Sequence, residues 1–461
     1  MITKAKIKVK NLGLANSTSI GMKAGQFLFL GSQTPMDLET GKLVKGYKDL
    51  PQEAHRQLTI GLLLVDVPDE RILCQTWCIF RNLKDLLAQQ GLSFDSIVHQ
   101  RFFLKNMKDL PGLERVILAF MPDERPSTTI IEATNAGVNE EIAVQADFIV
   151  LTGEGGIKRQ NISISGLDHL TAPYPLGTRA GQYIFTTPVP GVDPETGKLV
   201  TRVAELKKEE QELAEPPYTP KGEALAAQQL MTFRHIRRIL ESQGSSLAWQ
   251  LRQNGWLRIP MREFGPVAKV RKRLFSGENR GPFTSLTVSG IRREDAFFEY
   301  SVIALVPPKG PNDHKREVPM APHGIASYYV GALKSGPYVI TAGEVAIDTK
   351  VPCAVKKFSD LKGEESYLDY GRVHEVKSIM AEAYFVYQEL KSCTEIHGSS
   401  MENVVHQTVY MANPADYPAL ERIATLFYGS QLPPTTLIPI LGTSPYAEAR
   451  LEIEVFGLTD K

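Results

Sequence analysis

The stretch Asp37–Val44 reads DLETGKLV, and Asp193–Val200 reads DPETGKLV. The two octapeptides differ only at Leu38 and Pro194 and lie 156 positions apart (193 − 37). Near-identity at a long fixed spacing marks tandem structural units. A second block recurs three times: GLSFDSIVHQ from Gly91, GSSLAWQLRQ from Gly244 and GSSMENVVHQ from Gly398, at offsets of 153 and 154. Each copy follows a stretch with helical periodicity. Leu73, Trp77, Phe80, Leu83 and Leu87 form one apolar stripe, Leu230, Phe233, Ile236 and Leu240 a second, and Val376, Ile379, Ala383, Val386 and Leu390 a third. The glycine after each stripe suits a left-handed helix C-cap. An alternating strand is expected next, at FDSIVHQRFFL, LAWQLRQNGWL and MENVVHQTVYM.

The rest of the chain fits the same period. A shorter helix follows at LPGLERVILAF (from Leu110), FGPVAKVRKRLF (from Phe264) and YPALERIATLF (from Tyr417). Each repeat opens on a strand after a glycine (AGQFLFLGSQTP, AGQYIFTTPVP, SGPYVITAGEVA) and closes on a strand pair ending EIAVQADFIVL, AFFEYSVIALV or RLEIEVFGL. The order is strands, long helix, strand, short helix, two strands. That mixture predicts an α+β class with a helix layer on one sheet face. The expected domains are 1–153, 154–310 and 311–461, with linkers near Thr152–Lys158 and Pro307–His314. Three charged insertions, Lys45–Glu70, Thr201–Gly222 and Thr349–Arg372, read as loops or small excursions over a cleft.

Composition narrows the function. Lys plus Arg and Asp plus Glu each number 52, so the net charge is zero, which argues against nucleic acid or an anionic membrane as the main partner. Cys74, Cys78, Cys353 and Cys393 are too few for a disulfide scaffold and read as reduced thiols. The longest apolar run, IGLLLVDV from Ile60, is far short of the roughly 20 residues of a membrane span. The nine histidines show no metal-ligand spacing. A soluble, cytoplasmic protein is expected, with no membrane and no nucleic-acid partner.

These repeats resemble three tandem copies of the RidA family, also called YjgF, the reactive-intermediate deaminases. The resemblance rests on the opening strand with its DPETGKLV turn, the GSS-terminated helix and the closing EIE strand, and covers nearly the whole chain. It implies a chorismate-mutase-like sheet with two helices on one face in each repeat. The three repeats would form an intramolecular pseudo-trimer with clefts between neighbours. It further implies cofactor-independent and metal-free hydrolysis of a small enamine, imine or related C–N compound bearing a carboxylate.

The resemblance also nominates residues. The family's carboxylate-binding arginine is matched by Arg125 in MPDERPSTTII, whereas Thr284 and Thr435 stand at the matching places of the other repeats. The family's acidic residue is matched by Glu299 and Glu452, with Ala143 in the first repeat. Arg125, Glu299 and Glu452 are thus the catalytic candidates. A working pair then requires neighbouring repeats to share one cleft. The substrate-binding candidates are Tyr174 and Tyr329, where the first repeat has Thr18, and the Gly31-Ser32 wall, whose counterparts are Thr187-Pro188 and Ala342-Gly343. Pro188 removes a backbone donor. His169 and His323 lie near the tyrosine segments. Repeat-matched His99 and His406, with Arg252 between them in the series, suggest structural hydrogen bonds. The basic run from Arg258 reads as a solvated helix face. Two other readings stay open: a different reaction on the same scaffold (C–N lyase, tautomerase or cyclisation), and a non-catalytic binding or scaffold protein.

Overall fold

A computed structural model describes residues 4–7, 19–59, 70–137, 139–319, 328–348, 353–361, 374–429, 431–443 and 449–459. The same set of elements recurs in each third. An opening hairpin (Gly21–Ala24 with Phe27–Gln33, Gly177–Ala180 with Tyr183–Thr186, Ala332–Ser335 with Tyr338–Thr341) leads to a long helix (Glu70–Gln89, Pro220–Ser242, His374–Glu395). A crossing strand follows (Ile97–Leu104, Gln250–Leu257, Ser399–Met411), then a short helix (Leu110–Phe120, Gly265–Leu274, Tyr417–Tyr428). The penultimate strand (Ser127–Glu132, Phe283–Thr287, Thr435–Pro439) and the closing strand (Val144–Leu151, Phe298–Leu305, Leu451–Thr459) complete the unit. All three sheets share one order: hairpin, closing, crossing, penultimate. Among the described strands only the crossing and penultimate ones pair in parallel, and the short helix between them supplies the crossover that a parallel pair requires.

Local sequence explains the repeated boundaries. Gly91, Gly244 and Gly398 end the long helices at φ 71°, 71° and 67°, a region costly for any side chain. In the DxETGK turns, Asp37 Oδ1 accepts from the Glu39 and Thr40 amides, and Asp193 Oδ1 from the Glu195 and Thr196 amides. Both helices of each third bury their apolar stripes on the outer sheet face, giving three separate cores. The described parts of the first two insertions do not cover a cleft. Leu50, Ala54 and Leu58 of the first, and Leu206 of the second, extend the core of their own third. Thr18, His323, the run from Ile60, most of the third insertion and the side chains of Cys353 and Val376 lie outside the described residues.

The inner faces meet around a common axis. At one end Phe27, Tyr183 and Tyr338, matched residues of the three hairpins, pack with ring centroids 5.3–5.7 Å apart. At the other end Phe103, Trp256 and Tyr410, matched residues of the crossing strands, share one cluster. Each penultimate strand packs on the next third's hairpin. The Ser127 amide donates to Thr178 Oγ1 at 2.7 Å, Gly281 bridges Tyr329, and the Leu437 amide donates to Ser32 Oγ at 3.3 Å. Backbone crosses the seams as well. Gly290–Ile291 of the middle third pairs with Glu132 and Ile131 of the first, Thr287 bridges Gly442, and the Thr134 amide donates to Pro439 O. The three sheets therefore form a closed ring.

Candidate active site at the seams

The ring distributes the sequence-nominated residues over three different seams. Arg125 and Tyr174 lie together where the first third meets the second, and Glu299 lines a cavity beside them. Tyr329 and Glu452 belong to the second–third seam. Gly31 and Ser32 belong to the third–first seam.

At the first seam Arg125 is committed to backbone. Its Nε donates to Pro173 O across the seam, and its Nη1 to Met121 O and Pro122 O, each at 3.0 Å. Strand register refines the sequence alignment here. Thr128, Phe283 and Thr435 pair with the matched glutamines Gln100, Gln253 and Gln407. Phe283, not Thr284, is thus the counterpart of Thr435. Three residues before Thr128 stands Arg125, and three before Phe283 stands Arg280, so two thirds carry an arginine in this loop rather than one. Tyr174 is 4% exposed, and Arg292 lies over its ring at 5.1 Å. Burial, then the Glu114 carboxylate, pushes its hydroxyl above the usual tyrosine range.

Beside this seam opens a cavity of about 180 Å³, lined among others by His169, Pro190, Arg292, Arg293 and Glu299. Glu299 sits at the start of the closing strand, opposite Trp256 and Pro190. Its Oε1 accepts from the Arg293 amide at 3.0 Å. Burial pushes the carboxyl up to about 7, with Arg292 opposing the shift. A carboxyl near neutrality on a cavity wall can move a proton in either direction at physiological pH. Arg125 is not among the residues lining this cavity.

The second–third seam gathers Tyr329, Glu344, Cys393 and Glu452. Phe283 crosses the seam to place its ring 5.4 Å from Tyr329. Cys393 Sγ lies 3.9 Å from Glu344 Oε1. Burial, then Glu344, raises the Tyr329 hydroxyl well above its ordinary value. A Cβ on Gly343 would stand 1.9 Å from Glu452 Oε1, so only glycine lets the carboxylate lie there. The third–first seam holds a cavity of about 260 Å³ lined by Ser19, Gly31, Ser32, Gln145, Tyr417 and Thr435 among others. Among the described residues none with a formal charge lines it. A Cβ on Gly31 would meet the Thr435 amide at 2.7 Å, so this glycine is set by the close approach of two strands.

Two features escaped the sequence. The first is a polar layer on the axis, between the two apolar ends. Arg101 Nε donates to both Asp147 oxygens at 2.9 and 3.1 Å. Glu454, fully buried, accepts from Thr284 at 2.7 Å, Tyr410 at 3.1 Å and Asn254 at 3.2 Å, with Arg252 at 3.5 Å and Arg101 at 3.7 Å. Burial raises the Glu454 carboxyl, but the two guanidiniums together with the bonds from Thr284 and Tyr410 more than reverse this and hold it below the usual range. His99 and His406 bond Ser127 Oγ and Thr436 Oγ1, and burial, then Arg101, pushes both down to about 3. They are neutral structural partners. The second is Arg271, read from sequence as part of a solvated face. It is fully buried among the rings of Phe233, Phe275, Phe283, Tyr300 and Tyr328, with Phe283 at 4.0 Å. Among the described residues no group of three or more His, Cys, Asp or Glu is arranged to hold a metal ion, and no helix is long and apolar enough to cross a membrane.

Comparison with known proteins agrees with this architecture. Residues 65–150 and 319–458 match the family described as Endoribonuclease L-PSP. A RutC family protein of Pyrococcus horikoshii is 26% identical over 128 residues, covering 28% of this chain and 82% of that protein. The crystal structure of RidA from an Antarctic Psychrobacter is similar to 32% of this chain over 98% of its own length, at 18% identity and a TM-score of 0.25. A chorismatase crystal structure is similar to 79% of this chain and 93% of its own, at 12% identity and a TM-score of 0.47. The first and last thirds thus carry domains of the RidA/L-PSP family, and the middle third has the same strand order.

Proposed function

We propose that this protein is a cofactor-independent hydrolase of a small C–N compound, an imine or enamine bearing a carboxylate, acting at the seam between its first and second thirds. The observation that carries this reading is Glu299: a carboxyl 3% exposed, on the wall of a cavity of about 180 Å³, with its proton affinity tuned to about 7 and Arg292 on the same wall. An imine, or an enamine after proton transfer to carbon, needs a base to take a proton from the attacking water. It then needs an acid to return that proton to nitrogen. Water adds to the imine carbon as one of its protons passes to the Glu299 carboxylate, which returns it to nitrogen; the hydroxyl proton of the resulting carbinolamine then takes the same route to nitrogen as the C=O bond forms and the C–N bond breaks. The products are a carbonyl compound and ammonia.

Incubating the protein with 2-iminobutanoate generated in situ and following ammonia release tests the reading. Glu299→Gln should lower the rate by about 10²–10⁴-fold. The wild-type kcat/KM should rise with pH through about 7, because the base form is the ionised one. No ammonia above the uncatalysed rate, or full activity in Glu299→Gln, overturns it.

A further inference from the structure

Strand register sets Gln145 opposite Phe103, Glu299 opposite Trp256 and Glu452 opposite Tyr410. Those three partners are matched residues of the crossing strands. Gln145, not Ala143, therefore stands in the first third where a carboxylate stands in the other two. The loop arginine is replaced at the same seam. Three residues before Thr435 is Leu432, where the other thirds have Arg125 and Arg280. The cavity of about 260 Å³ between the last third and the first has thus lost both the acid and the cation of its counterparts. We propose that it is a binding site for a small uncharged carboxamide, separate from the cavity at Glu299 and serving no proton transfer of its own. The proposal does not depend on the hydrolase reading.

One residue organises the polar wall. Leu437 lies on the penultimate strand of the last third, and the N–H and C=O of a strand residue leave the strand on the same side. Its amide donates to Ser32 Oγ at 3.3 Å, and its carbonyl accepts from Gln145 Nε2. Both bonds cross the seam, so Ser32 and Gln145 are held side by side. A carbonyl can only accept, which fixes the carboxamide of Gln145 with its nitrogen toward Leu437 and its oxygen turned away. That Oε1 lies 3.7 Å from where a Cβ on Gly137 would stand, and Gly137 is on the cavity wall. Among the described residues no donor reaches Oε1, although Gln145 is only 1% exposed. The Ser32 oxygen is used as an acceptor, which leaves its O–H to donate.

The wall therefore offers one acceptor beside one donor, both anchored on a single backbone residue. A carboxamide presents the complement: its N–H to Gln145 Oε1 and its C=O to the Ser32 hydroxyl. A buried acceptor left without a donor costs free energy, and this ligand supplies the donor. A carboxylate has no N–H for Gln145, and it would shed its water where no cation replaces it. Ile20, Ile142 and the Leu437 side chain give the remainder of the ligand an apolar bed.

The test is calorimetric titration of the full chain with benzamide and with benzoate, which share a shape and differ in charge. Wild type should bind benzamide at one saturable site, and benzoate should not displace it. Gln145→Leu keeps the bulk and removes the acceptor, so benzamide binding should weaken by about fivefold or more, the worth of one buried hydrogen bond. Thr34 is half-buried on the same wall, and Thr34→Trp should abolish binding by filling the cavity with Gln145 still in place. It takes over if Gln145→Leu does not fold. Glu299→Gln changes a different seam and should stay within about twofold of wild type. No saturable benzamide binding to wild type, displacement by benzoate, or binding within twofold of wild type in the cavity variant overturns the site. Loss of benzamide binding in Glu299→Gln also overturns it, by placing the ligand at the other seam. The hydrolase reading fails separately, on the absence of ammonia release.

Discussion

Glu299 is where side-chain chemistry and stability meet. Its carboxyl holds a proton more tightly in the folded chain, where burial lifts it to about 7, than in the unfolded one. A group with a raised folded value favours folding fully below its unfolded pKa, and that contribution is lost as pH rises through the folded value. Glu299→Gln removes the penalty of an ionised carboxylate in a closed site. The variant should therefore melt several degrees above wild type near pH 8.5, with the gap closing toward pH 5, by circular dichroism or calorimetry. No pH dependence in the gap would mean the carboxyl is not tuned as described. Glu454 behaves in the opposite sense. Its five partners hold it ionised, and Glu454→Ala would leave Arg101 and Arg252 short of a counter-charge on the axis. A loss of about 3–5 kcal/mol is expected in a urea melt, since removing one member of a buried ionic network strands the others. The sequence matched Glu299 with Glu452 and did not single out Glu454. Glu299 was legible as a candidate. The role of Glu454 was not, because its donors come from all three thirds.

At the scale of elements, local signals were the readable ones. The DxETGK turns and the helix-ending glycines act through their own neighbours, so their structure follows from a few adjacent residues. The stripes on the long helices likewise show in the periodicity alone. What stayed hidden depends on elements distant in the chain. Gly290–Ile291 has no period or motif that would send it to another third's sheet edge, so Arg292 drew no notice. Arg271 sits in a charged helical run, and its box of rings is assembled from the two helices, the penultimate and closing strands, and Tyr328 of the next third. Gly31 is a case where a motif was seen but its cause lay elsewhere. Gly31→Ala should press a methyl on the Thr435 backbone and cost about 1–3 kcal/mol by overpacking, measured by urea denaturation. Gly343→Ala faces a carboxylate side chain instead. It should displace Glu452 at smaller cost in stability, and the pair of melts separates a seam fixed by backbone from one fixed by a movable group.

For the whole molecule, one chain encloses three unlike seams. A homotrimer repeats one seam three times by symmetry; here one cavity holds a near-neutral carboxyl with arginines, another has no formal charge among its described lining residues, and the third seam gathers two glutamates and a thiol. The polar layer also has a direction in time. Glu454 comes later in the chain than every group that bonds to it: Arg101, Arg252, Asn254, Thr284 and Tyr410. During synthesis the growing polypeptide therefore carries two guanidiniums destined for the interior with Asp147, but not yet Glu454, beside them. A ribosome-bound nascent chain lacking Leu451–Thr459 should stay open to proteases at its inner faces, and should become resistant only after that strand has cleared the exit tunnel.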